Sequence, residues 1–190
     1  MRISPAALAL ALLCATPLSA QPRRDPPAQP AAQREAMARL AWMNGVWRGP
    51  AWAITADGRH EMTQTERIGS FLGGSVTMIE GRGYNADGTV GFNALGVISY
   101  NPPTTSYLIT SWAQGNFGTF SFRPTSDGYV WEVPAGPAAV IRYTATIRDG
   151  TLRETGERIA GDAAPVQVFE MNLRRVADTA WPAADPVPMR

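Results

Sequence analysis

Four Asp-Gly dipeptides, Asp57-Gly58, Asp87-Gly88, Asp127-Gly128 and Asp149-Gly150, punctuate the middle of the chain. This pair tolerates the positive backbone angles of tight hairpin turns, whose twist matches that of antiparallel strands. Each dipeptide joins two segments of strand-like length, at 45–55, 60–69, 74–84, 90–100, 106–114, 117–124, 128–134, 139–148, 151–159 and 165–176. About ten antiparallel strands with short connections are too many for a small sandwich. A single meander of that length must curl, and closure into an up-and-down β-barrel removes its edges. The expected fold is therefore all-β, a closed antiparallel barrel.

Alternation within the segments gives the barrel an apolar inner face. Ile141, Tyr143, Ala145 and Ile147 share one side of their segment, with Arg142, Thr144, Thr146 and Arg148 on the other. Phe169, Met171 and Leu173 likewise oppose Glu170, Asn172 and Arg174. A strand's side-chain period of two makes each set a face. In a closed meander of about ten strands the interior is often wide enough to hold a ligand cavity.

Before the strands, Met37, Leu40 and Ala41 fall three to four apart and predict a short helix over 33–43, stopped by Gly45. Residues 1–20 read as an export signal. Arg2 supplies the positive start, Ala6 to Ala15 an apolar run too short to span a bilayer, and Leu18-Ser19-Ala20 a cleavage site. A lipid-bearing role for Cys14 is disfavoured by the bulky Leu13 before it. Residues 21–35 are Pro- and Ala-rich and read as a disordered tether, 36–176 as the folded domain, and 177–190 as a proline-broken tail in which Trp181 can touch the domain. A periplasmic or secreted protein cut after Ala20 is the expectation. It would carry no cysteine, hence no disulfide, and no integral membrane segment.

The basic residues are all arginine, and the chain has one histidine, His60. Lysine Schiff bases, a P-loop lysine and a thiol nucleophile in the mature chain are thereby excluded. Loss of Arg2 with the signal leaves sixteen arginines against sixteen acidic residues. No global charge attracts nucleic acid or anionic membrane, which leaves a small molecule as the expected partner. The oligomeric state is not legible. His60 lies beside a turn, with no G-x-S-x-G elsewhere and no metal-ligand spacing, so neither a serine hydrolase nor a zinc site is expected.

A helix, then Gly45-Val46-Trp47, then an up-and-down barrel ending in FEMNLRRV resembles the calycin group: lipocalins, fatty-acid-binding proteins and nitrobindins. FLGGSVTMIEGRGYNADG, ALGVISYNP and FEMNLRRV are more closely similar to a family of exported bacterial lipocalin-like proteins known as a domain of unknown function. The resemblance spans about residues 36–176. It implies that Trp47 plugs one end of the barrel, that Gly45 lets the chain turn beneath the ring, and that an arginine of the last strand packs over the indole while donating to helix-end carbonyls. The period of two puts Arg175 on the face of Phe169, Met171 and Leu173, which favours it over Arg174. Nitrobindins bind ferric haem through a histidine near the chain end. Residues 160–190 hold none, so the resemblance does not carry haem over, and no cofactor is expected.

Two groups of residues are candidates for a ligand pocket. In VTMIEGRGY, an inward Val76 and Met78 would bring Glu80 and Arg82 inward as a polar anchor for a carboxylate or hydroxyl. The alternative is a satisfied ion pair, or a bulge at a glycine that turns both residues to solvent. Trp112, Trp131, Tyr143 and Phe169, with Met171, lie on different segments and can line one interior, as core or as pocket. No catalytic residue is assigned, although Glu80 or Glu154 is available as an acid or base. Three functions stay open: a carrier of a small apolar or amphipathic molecule, an enzyme acting in the same cavity, and an envelope interaction module with a packed interior.

Overall fold

The computed structural model describes residues 28–179 and 181. The signal peptide expected over 1–20, the cleavage after Ala20, the start of the tether and tail residues 182–190 lie outside them. Ten strands form one closed antiparallel barrel: β1 (Gly45–Thr55), β2 (Gly58–Phe71), β3 (Val76–Tyr84), β4 (Val90–Asn101), β5 (Ser106–Ala113), β6 (Asn116–Pro124), β7 (Gly128–Pro134), β8 (Ala139–Arg148), β9 (Thr151–Ala160) and β10 (Val166–Ala177). Each strand pairs with the next, and β10 returns to β1.

The turns follow the Asp-Gly pattern with one difference. Gly58, Gly88 and Gly150 take positive φ, whereas Gly128 does not. Gly128 is instead the first residue of β7, paired with Thr146. A Cβ on it would fall 1.8 Å from the Ala145 carbonyl oxygen, so strand approach requires the glycine there.

A helix, α1 (Ala28–Ala38), and a 3-10 turn (Ala41–Met43) precede the barrel. The helix starts five residues before the expected 33 and ends before the expected 43, so it begins within the stretch read as a tether. Pro30 falls in its first turn, where a missing N–H leaves no intrahelical bond unmade. The helix is tied to the barrel by Tyr107, whose hydroxyl donates to the Ala36 carbonyl at 2.8 Å, and by Gln33, whose Nε2 donates to the Tyr100 carbonyl at 3.2 Å.

Below that helix the barrel is packed solid. Met37, Leu40 and Met43 meet Trp47, Ile68, Ile98, Leu152 and Leu173 in one buried cluster. Toward the other end, the β6–β7 seam pairs only Phe122–Trp131, Arg123–Val130 and Pro124–Tyr129. Above those pairs the two strands part beside the interior. The outer face is a charged surface. Glu132 pairs with Arg142 at 2.7 Å, and Glu170 takes hydrogen bonds from Arg153, Gln167 and Asn172. No helix among the described residues is long and apolar enough to cross a membrane.

Candidate functional site

The closed end is organised around Trp47. Its ring is 1% exposed and its Nε1 donates to the Met43 carbonyl at 3.1 Å, which satisfies both the indole and the end of the 3-10 turn. Gly45 sits beneath it with φ +153°, and a Cβ there would lie 2.8 Å from Arg175 Nε and 3.3 Å from Trp47 Nε1. Only glycine fits both the angle and the space. Arg175 pairs in register with Trp47, donates to the Asn44 carbonyl at 3.0 Å and bridges to Asp178 at 2.8 Å. Its bond to the Asn44 carbonyl, just past the 3-10 turn, is the helix-end contact that the resemblance implied for this arginine, and Asp178 adds a carboxylate.

Above the plug the interior opens into a cavity of about 770 Å3. Its wall is largely aromatic. Trp131 and Tyr143 stack with ring centroids 4.7 Å apart, Phe169 meets Tyr143 edge-on at 5.9 Å, and Phe120 lies 6.0 Å from Trp131. Trp131, Tyr143, Phe169 and Met171 all line it. Space for the rings comes from Gly156 across the strand pair, where a Cβ would lie 2.9 Å from Tyr143 and 3.0 Å from Phe169.

Three polar side chains are buried in this apolar setting: Gln64, Glu66 and Glu154, at 3%, 8% and 7% exposure. Gln64 and Glu66 alternate with solvent-side residues on β2, in register with Gly83 and Gly81 of β3. A Cβ on Gly81 would come within 2.9 Å of Glu66 Oε1 and one on Gly83 within 3.2 Å of Gln64 Oε1, so the two glycines make the room these side chains occupy. Gln64 Nε2 donates to Glu66 Oε1 at 2.7 Å. Gln64 Oε1 and Glu66 Oε2 are buried without a hydrogen-bond partner. Glu154, on β9, accepts from Trp131 Nε1 at 3.0 Å and from the Tyr129 hydroxyl.

Burial governs the ionisation of these carboxyls. Desolvation pushes Glu66 from its ordinary value up to about 8. The Gln64 hydrogen bond opposes the rise, and the charges of Glu154 and Glu80 add to it. Desolvation also raises Glu154 to about 7, against the hydrogen bonds from Trp131 and Tyr129. Tyr143 is pushed up to about 12 by burial and then by the Glu154 charge. Near neutral pH burial therefore favours the neutral acid at Glu66 and brings the titration of Glu154 into the neutral range. Neither has a basic partner: none of the described lining residues is arginine or histidine.

Glu80 and Arg82 were candidates for the interior, and the structure corrects that placement. The inward residues of β3 are Thr77, Ile79, Gly81 and Gly83, so Glu80 and Arg82 stand on the outer face as an exposed ion pair. The irregularity in the β3–β4 pairing falls after them, between Gly83 and Tyr84, so it does not turn them out; the strand has the opposite phase, with its glycines facing the Gln64 and Glu66 side chains. Trp112 is corrected in the same way. Ile109, Ser111 and Ala113 line the cavity, while Trp112 is 43% exposed on the outside, beside Leu95 and Glu80. His60 is exposed, 3.0 Å from Asn85 Oδ1. Trp181 meets Phe71 edge-on at 5.3 Å.

Sequence reasoning passed over Gln64, Glu66 and Tyr129. The signal for the first two was the alternation of Met62, Gln64, Glu66 and Ile68 against Thr63, Thr65 and Arg67, in which the face ending in Ile68 carries the polar pair inward.

The class defined by this fold and site is a closed ten-stranded antiparallel barrel, plugged at one end and hollow at the other, an architecture compatible with ligand binding. It is similar to the crystal structure of Rv2717c from M. tuberculosis, with a TM-score of 0.57 and 12% sequence identity, over 74% of this chain and 97% of that one. At that identity the likeness is one of fold. No family model matches the sequence, and no curated protein does.

Proposed function

We propose that this chain is an exported calycin-like protein that binds or carries a small, largely apolar molecule in its barrel. The observation that carries this reading is the cavity. At about 770 Å3 it falls within the usual range for small-molecule sites, roughly 300–1,000 Å3, and has their usual makeup of apolar walls with a few convergent polar groups. The same volume disfavours an interaction module with a packed interior. The arrangement of Gly45, Trp47 and Arg175 at the closed end supports the calycin relationship, and the apolar run before Ala20 supports export.

Native mass spectrometry with small-molecule extraction, on protein purified from its own periplasm, tests the reading. A co-purifying organic molecule is the expected result. No retained mass, together with failure to bind any hydrophobic fluorescent probe, would overturn it.

One observation favours a second reading, an enzyme acting in the same cavity. A buried carboxyl raised to about 7, as Glu154 is, can give or take a proton near neutrality. Glu80, the other residue considered for that role, lies outside the cavity. Incubating the extracted molecule with fresh protein separates the two: a carrier returns it unchanged, and an enzyme converts it.

A further inference from the structure

The polar floor of the cavity is built for one sign of charge. Gln64 Oε1 and Glu66 Oε2 are buried without hydrogen-bond partners, and both side chains line the cavity. Buried polar atoms are nearly always paired, so two neighbouring orphans mark a place where a ligand's donors complete the set. Two carboxyls, Glu66 and Glu154, line the same space, and no cationic side chain does so among the described residues. An anionic head group there would meet no counter-charge. The arginine that would have served, Arg82, is outside and paired with Glu80. The walls add Trp131, Tyr143, Phe169 and Phe120, whose ring faces attract cations.

Building on the carrier reading, we propose that the cavity selects an organic cation: an amphipathic amine whose ammonium group donates to Gln64 and Glu66 while its apolar body lies along the aromatic wall. The acid it meets is protonated, because burial dominates the ionisation of Glu66. Seating the ammonium therefore breaks the Glu66 O–H bond. The proton leaves to bulk water, and an N–H···O hydrogen bond to the carboxylate takes its place. The titratable groups that act on Glu66 are Glu154 and Tyr129 inside the barrel and, through the wall, the charge of Glu80 on the outer face. All of them are acidic, so none competes for the carboxylate as a counter-ion. The cation thus binds with release of about one proton per ligand, and its affinity rises with pH toward the Glu66 titration near 8.

Calorimetric titration of the full mature chain with decylamine, decanol and decanoate tests this, in two buffers of different ionisation enthalpy at about pH 7. These three probes share an apolar body and differ in head-group charge. Decylamine should bind at least about tenfold more tightly than decanol, decanol more tightly than decanoate, and only the amine should release a proton. Glu66→Gln should abolish the amine's advantage and its proton release while leaving decanol within about twofold, since the amide keeps the shape and removes the charge. Glu154→Gln, read the same way, reports whether the second carboxyl shares the load, and retained decanol affinity shows that either variant has folded. Equal binding of all three probes, or preference for decanoate, overturns the cation proposal and leaves the carrier reading standing. Failure of all three together with a hydrophobic fluorescent probe overturns both.

Discussion

At the closed end of the barrel, Trp47 gives its indole hydrogen to Met43 and Arg175 its guanidinium to Asn44 and Asp178, so that among the described residues there Asn44 Oδ1 alone is left buried without a partner. In the hollow half, the same inward-facing register carries two carboxyls and an amide into apolar surroundings and leaves Gln64 Oε1 and Glu66 Oε2 unpaired. The two halves share strands, twist and hydrogen-bonded ladder. They differ in what the inner face is asked to do. Filling space with Leu40, Met43, Trp47 and Leu173 stabilises the fold, whereas holding Glu66 and Glu154 away from water draws on that stability to keep two acids poised.

The largest expected effect lies at the plug. Trp47→Ala should destabilise the protein by about 3–5 kcal/mol in chemical denaturation, as for other fully buried aromatics. An unchanged unfolding midpoint would remove the distinction between the two ends. Next comes pH. Between the ordinary glutamate value and about 8, the folded state keeps a proton on Glu66 that the unfolded chain has released, so stability is fully present in acid and falls as pH rises through that window. Glu66→Gln should therefore match the parent near pH 4 and exceed it by about 2–4 kcal/mol near pH 9, in urea titrations at both pH values. Glu154 keeps its own, narrower slope below about 7 in that variant.

A smaller effect is expected from an aromatic whose ring has the cavity on one side. Phe169→Ala should lower stability by about 1–2 kcal/mol, less than at the plug because part of the ring's surroundings is already space. A loss as large as that of Trp47→Ala would mean that the hollow half is as tightly packed as the closed end. The smallest effect belongs to the outer face. Glu80→Gln should change the unfolding free energy by less than about 0.5 kcal/mol in urea titration, since its partner Arg82 is 47% exposed and surface ion pairs contribute little. A larger loss would argue for a buried role.

Much of the barrel was legible because strands and turns are local. Asp149-Gly150 marks its hairpin whatever surrounds it, and β7 and β8 run over 128–134 and 139–148 as the alternation predicted. The inward set of β10, with Phe169, Met171 and Leu173, was equally plain because apolar and charged residues take strict turns there. β3 was different. VTMIEGRGY offers Val76 and Met78 on one face and Thr77 and Ile79 on the other, so its own pattern is balanced between two phases that differ in every side chain. The balance is broken by β2, whose Gln64 and Glu66 need the space that Gly81 and Gly83 leave.

By itself, then, the sequence determined the strand count, the meander and the closed barrel, since each follows from residue types at short spacing, while the plug at Trp47 came only as what the resemblance implied. Which residues face the cavity, and that Glu66 and Glu154 meet there without a cation among the described residues, was decided by the tertiary structure. Phase and burial are set by what the neighbouring strands present, and the ionisation of a carboxyl follows from its burial and the charges around it.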